Sequence, residues 1–156
     1  MKYIKAEEKH AQRIFEIVQT SIKAVYPRYY PQAVVDMFCE LHSIENINAD
    51  IKNGDVWILS DGNRIFGTGC FKGYHMTRVY VAPEYQGMGY GSAIMQNLEE
   101  EIAEQYDFAE LDASLPACVM YEKRGYKTVK HKSISVKDDA VIVYEIMRKE
   151  LRKNDA

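Results

Sequence analysis

The chain has 156 residues, 47% of them hydrophobic and 28% charged, an ordinary composition for one globular domain with a single sizeable core. Its formal net charge of -3 argues against a general attraction to nucleic acid or to an anionic membrane. No apolar run approaches the roughly 20 residues that span a bilayer. The opening M-K-Y-I-K-A-E-E lacks the apolar stretch of a signal peptide, so a cytoplasmic location is expected.

Met1 to Lys5 reads as a short first strand. Ile14, Ile17, Val18, Ile22 and Val25 recur at helical spacing and predict an amphipathic helix over 7–24. Pro27 ends it, because the residue before a proline leaves the helical region. A tyrosine-rich loop with Tyr26, Tyr29 and Tyr30 follows. Pro31 can open a second helix as its first residue, with Val34, Val35, Phe38 and Leu41 as its apolar face. Residues 44–53 are ambiguous, one reading being a further short helical turn.

Asn53-Gly54-Asp55 signals a turn into the buried strand V-W-I-L-S. Asp61-Gly62-Asn63 makes a hairpin, and residues 64–71 return as the next strand. A strand from His75 to Val81 and a helix over 92–105 follow. Residues 108–114 form a strand. Pro116 starts a helix to Arg124, capped by Gly125. A final hairpin joins 126–136 to 140–147. The order β-α-α-β-β-β-α-β-α-β-β implies a layered α/β or α+β domain over residues 1–150, with 151–156 as a short tail.

Cys39, Cys70 and Cys118 are an odd set with no CxxC pair, so no disulfide framework is expected. His10, His42, His75 and His131 show no ligand spacing, so no metal site is expected.

The stretch Val79 to Leu98 carries the most chemistry. Val79 and Val81 alternate with Tyr80 as a strand does, and Pro83 marks its end. Gln86-Gly87-Met88-Gly89-Tyr90-Gly91-Ser92 then leads into a helix bearing Ile94, Met95, Leu98 and Ile102. The first amides of a helix lack partners and sit at its positive end, and glycines let a backbone approach a ligand closely. Phosphate or pyrophosphate is the natural occupant. A tight turn without a ligand is the plainer alternative. The turn lacks the lysine of a P-loop, and G-x-G-x-x-G fails from either Gly87 or Gly89.

Gln86-x-x-Gly89-x-Gly91 after V-x-V-x-P resembles the coenzyme A loop of the GCN5-related N-acetyltransferases. Ser114-Leu-Pro-Ala117 through Tyr121 to Gly125-Tyr126 resembles the same family's second segment, in the same order. The resemblance covers nearly the whole chain. It implies a mixed, mostly antiparallel twisted sheet with helices on both faces. Its two central strands, ending near Val81 and Ser114, would splay to admit the pantetheine arm. The resemblance also implies transfer of an acetyl group from acetyl-CoA to a primary amine in a ternary complex. The alternatives are a non-catalytic acyl-CoA binding module and a transferase for a longer acyl group.

Residue by residue, the backbone from Gly87 to Ser92 would hold the pyrophosphate. The main chain of Val79, Tyr80 and Val81 would pair with the pantetheine amides. An amide near Val81 would polarise the carbonyl. Ser114 stands where the family often has Asn; a hydroxyl reaches less far and bonds less, and a serine before Leu-Pro is also a plain helix N-cap. Tyr121 is the candidate general acid for the departing thiolate, with core packing as the alternative. Glu110, Asp112 and His75 are the candidates for a base, beside a solvated or structural role for each. Tyr26, Tyr29 and Tyr30 could wall the acceptor site or plug the core. Cys118 reads as packing. The expected partners are acetyl-CoA and an amine, small or peptidic, with no nucleic acid and no membrane; a homodimer is expected only on general grounds.

Overall fold

Alternating apolar residues build the sheet, and two sets of amphipathic helices cover its faces. The computed structural model describes residues 1–151. The chain runs β1 (Lys2–Lys5), α1 (Ala11–Val25), α2 (Gln32–Leu41), α3 (Ile44–Lys52), β2 (Val56–Ser60), β3 (Ile65–Lys72), β4 (His75–Val81), α4 (Tyr90–Ala103), β5 (Phe108–Ser114), α5 (Cys118–Lys123), β6 (Lys127–Ser135) and β7 (Val141–Glu150). The strands form one open sheet in the order β1-β2-β3-β4-β5-β7-β6, antiparallel except for β4 with β5. This is the mixed, mostly antiparallel sheet with helices on both faces that the resemblance implies.

Several boundaries differ from the sequence reading. Residues 8–10 form a separate 3-10 turn, so the first α-helix starts at Ala11. The ambiguous stretch is a full helix, α3, because Ser43 caps it by accepting from the Asn46 amide at 3.1 Å. Pro31 is the N-cap of α2 rather than its first residue. The 115–117 segment is a 3-10 turn before α5. The last strand runs to Glu150 rather than Met147, carried on by its ladder to β5 at Phe108. Leu151 continues that edge, its amide donating to the Asp107 carbonyl at 2.8 Å. The rest of the expected tail lies outside the described residues.

The core is in two halves. On one face α1, α2 and α3 bury Ile14, Val18, Ile22, Val35, Ile47 and Ile51 against Val56 and Ile58. On the other face α4 buries Ile94, Leu98 and Ile102 against Ala109, Leu111 and Met147. Helix α4 lies close on β3 because that strand reads G-T-G. A Cβ on Gly67 would sit 2.6 Å from Ile94 and 2.7 Å from the Tyr80 carbonyl, so only glycine allows this approach. The contact fixes where the N-terminus of α4 meets the end of β4.

Two irregularities shape the sheet centre. First, Cys70 pairs with Arg78 while its neighbour Phe71 pairs with Met76. Thr77 is the extra residue of a bulge, which re-aims the side chains of a strand. Second, β4 and β5 pair only at His75–Glu110 and Met76–Leu111. Beyond that point each strand runs on, to Val81 and to Ser114, without pairing to the other.

Candidate active site

A cleft of about 620 Å³ opens where β4 and β5 part. Its floor holds His75, Arg78 and Tyr80 from β4 with Asp112 and Ser114 from β5, and its far wall holds Phe38, Leu41 and His42 of α2 with Asp50 of α3. Tyr121 of α5 lines the cleft as well.

At the mouth, the amide of Ala82 donates to the Phe66 carbonyl at 2.8 Å, toward β3. Successive amides of a strand alternate in direction, so those of Val79 and Val81 point away from β3, into the gap. The Val81 carbonyl, on the same side, accepts from Ser21 Oγ and from Gln86 Nε2, both at 3.2 Å. The Gln86 side chain therefore ties the glycine turn back to β4.

Gly87 and Gly89 have φ of 79° and 86°, a left-handed backbone that glycine adopts without penalty. A Cβ on either would meet nothing within 4 Å, so the turn presents bare backbone outward. Gly89 is the N-cap of α4, which begins at Tyr90 rather than at Ser92; Gly91 and Ser92 thus lie in the first helical turn. The first amides of a helix lack intrahelical partners, an arrangement suited to an anion. Tyr90 stacks on Phe66 with ring centroids 4.8 Å apart, and Met88 is exposed. The bare backbone and the freed strand amides together fit a pyrophosphate followed by an extended amide-bearing arm.

The aromatic loop splits. Tyr26 and Tyr30 pack edge-on to each other and against Phe38, while Tyr29 is exposed. The Tyr26 and Tyr80 hydroxyls lie 3.4 Å apart, and the Leu115 amide donates to the Tyr30 hydroxyl at 3.3 Å. Ser114 caps the 3-10 turn by backbone geometry without a side-chain cap bond. The tyrosine loop thus reaches across from β4 to the end of β5.

Tyr121 is half-buried, edge-on to Tyr126 at 5.8 Å. Burial, with a smaller effect from Tyr26, pushes its phenol up to about 12. Cys118 is no nucleophile. Its Sγ donates to Glu145 Oε2 at 3.4 Å, and burial and that carboxylate push the thiol up to about 11.

The candidate bases separate. Glu110 is buried and taken by Arg148, which donates from Nε at 2.8 Å and also from Nη2. Asp112 is exposed and lies 3.4 Å from His75 Nε2. His75 Nδ1 lies 3.9 Å from Glu110. The hydrogen bond to Asp112 raises the imidazole above its usual range, against the opposing effect of burial.

A further group escaped the sequence reading. Arg78 donates from Nε to His42 Nδ1 at 3.1 Å and from Nη2 to Asp50 at 2.9 Å. Lys72 Nζ sits 2.8 Å from the other Asp50 oxygen. Burial and then Arg78 push His42 down to about 4, so it stays neutral and accepts. The only signal in the sequence is an arginine inside the apolar strand T-R-V-Y-V. Among the described residues no His, Cys, Asp and Glu cluster could hold a metal ion, and no helix is long and apolar enough to cross a membrane.

Residues 52–128 match the acetyltransferase (GNAT) domain family. The fold is similar to a GCN5-related N-acetyltransferase structure from Rhodopseudomonas palustris, with 20% identity, 96% and 94% of the two chains covered, and a TM-score of 0.85. It is similar to PaiA N-acetyltransferase from Thermoplasma acidophilum in complex with coenzyme A, with 17% identity, coverage of 96% and 98%, and a TM-score of 0.73. YncA from Salmonella typhimurium, solved with its cofactor acetyl-CoA, gives 16% identity, coverage of 100% and 96%, and a TM-score of 0.74. No curated protein matches the chain.

Proposed function

The chain belongs to the GNAT acetyltransferases, and we propose that it moves an acetyl group from acetyl-CoA to a primary amine by direct transfer in a ternary complex. The observation that carries this is the parting of β4 and β5 beside a bare glycine turn. Two neighbours of this fold hold coenzyme A or acetyl-CoA, which supports the same occupant here.

In this reading the amides of Gly87 to Ser92 take the pyrophosphate, and Val79 to Val81 pair with the pantetheine as an added strand does. The inward amides of Val79 and Val81 polarise the thioester carbonyl. As the acceptor nitrogen bonds to the carbonyl carbon, the C–S bond breaks. The amine proton passes to His75, directly or through water, and Tyr121 gives its proton to the thiolate. His75 is chosen over Glu110 because Arg148 already occupies that carboxylate. Asp112 orients the imidazole.

Thermal unfolding with acetyl-CoA, coenzyme A and NADH tests the site. At 100 times its dissociation constant a ligand adds about 2.7 kcal/mol. Both coenzyme A species should raise the melting temperature and NADH should not; no rise at millimolar coenzyme A ends this reading. Thiol release on adding amines then separates an enzyme from a binding module, and longer acyl thioesters test chain length.

The pH profile tests the base. The charged groups facing His75 are Lys72 opposite it on β3, Asp112 and Glu110 on β5, and Arg148 behind Glu110. The base works deprotonated, so kcat/KM should rise with pH through a limb above the ordinary histidine value of 6.5. Asp112→Asn should move that limb to lower pH, and His75→Gln should remove it with a loss of about 10²-fold or more. An unchanged limb in His75→Gln would exclude this base.

A further inference from the structure

We infer that the acceptor amine also carries an oxyanion, which Arg78 and Lys72 hold on the α3 side of the cleft. This rests on the transferase reading above and narrows its substrate class.

Arg78 is 4% exposed yet lines the cleft. Two of its three nitrogens are engaged, by His42 and Asp50. Nη1 is buried and has no acceptor among the described residues. Buried polar groups are nearly always paired, so an unpaired donor on the guanidinium of a cleft-lining arginine marks a place for a ligand oxygen, best an anionic one. Lys72 and Arg78 share the carboxylate of Asp50, and the Asp55 carboxylate also acts on Lys72, so this corner sets two cationic donors beside two carboxylates. Asn53, the C-cap of α3, also lines the cleft.

His75, the cross-strand partner of Lys72, and Asp112 continue the cleft toward β5, and the Asp112 carboxylate suits an ammonium before it loses its proton. The bulge at Thr77 puts His75 and Arg78 on one face of β4. Their positions are three residues apart, on the order of 10 Å of strand, which sets the span that the acceptor and the two side chains bridge together.

The test uses the full chain with acetyl-CoA and reads thiol release. The acceptors are aminocarboxylates and aminoalkylphosphonates, each beside its neutral amide or ester. We expect the charged member of at least one series to be preferred about 10- to 100-fold in kcat/KM, and the preferred series tells a carboxylate from a phosphonate. Arg78→Lys keeps a cation for Asp50 and removes the Nη1 donor. It should raise KM for the charged acceptor about tenfold or more without changing KM for acetyl-CoA. Should Arg78→Lys not fold, Lys72→Gln at the half-exposed position decides, with the same direction. Neutral members accepted as well as charged ones, no turnover of any charged amine by protein that binds coenzyme A, or no change in either variant would overturn the inference. Failure of coenzyme A itself to stabilise the protein would instead remove the transferase reading.

Discussion

Tyr121→Phe should lower kcat by about 10²–10⁴-fold and leave acetyl-CoA binding unchanged. The phenol is pushed up to about 12 by burial, so it is protonated throughout the working range and can give its proton to a departing thiolate. Phenylalanine keeps the edge-on packing with Tyr126 and deletes only the hydroxyl. Because the phenol ionises so far above neutrality, the wild-type profile should show no alkaline limb from Tyr121 below about pH 11. Single-turnover thiol release across pH, beside the thermal shift with acetyl-CoA, separates the two roles. Unchanged release would make Tyr121 a packing residue.

Arg78→Met should lower unfolding free energy by about 3 kcal/mol, the lower end of the cost of breaking a buried ion pair. The side chain of Arg78 is 3% exposed and that of Asp50 12%. Methionine fills the space but leaves Asp50 with Lys72 alone and His42 Nδ1 without its donor. For a domain of this size that is a fall in melting temperature of about 6–12 °C. Lys72→Met is the control: Lys72 pairs with the same carboxylate, but its side chain is 52% exposed, and a solvent-screened pair contributes about 1 kcal/mol or less. Denaturant titrations of the two variants measure the difference. Equal losses would mean that burial does not set the strength of this pair.

The local parts of the fold were legible because their causes are local. Strand β5 appears at the expected residues, since F-A-E-L-D-A-S alternates and Leu115-Pro116 stops it. The glycine turn was readable because left-handed residues demand glycine, as Gly87 and Gly89 show. Helix α3 was obscured by its polar composition, Asn46, Asn48 and Asp50 sharing it with Ile47 and Ile51; its packing on the sheet outweighs weak propensity. The last strand was drawn three residues short because its end is set by a partner, Phe108, rather than by its own sequence.

For the site, the sequence by itself determined the turn, the strand before it and the tyrosine on α5, because each rests on backbone demands or on spacing within a few residues. Only the tertiary structure decided how the acceptor side is built. Asp50 and Arg78 stand 28 residues apart, and Arg148 reaches Glu110 from 38 residues away. No periodicity carries such pairings. The bulge at Thr77 also needed the fold, since it is a mismatch between two strands and belongs to neither alone. It decides which face of β4 each side chain takes, and so which residues line the cleft.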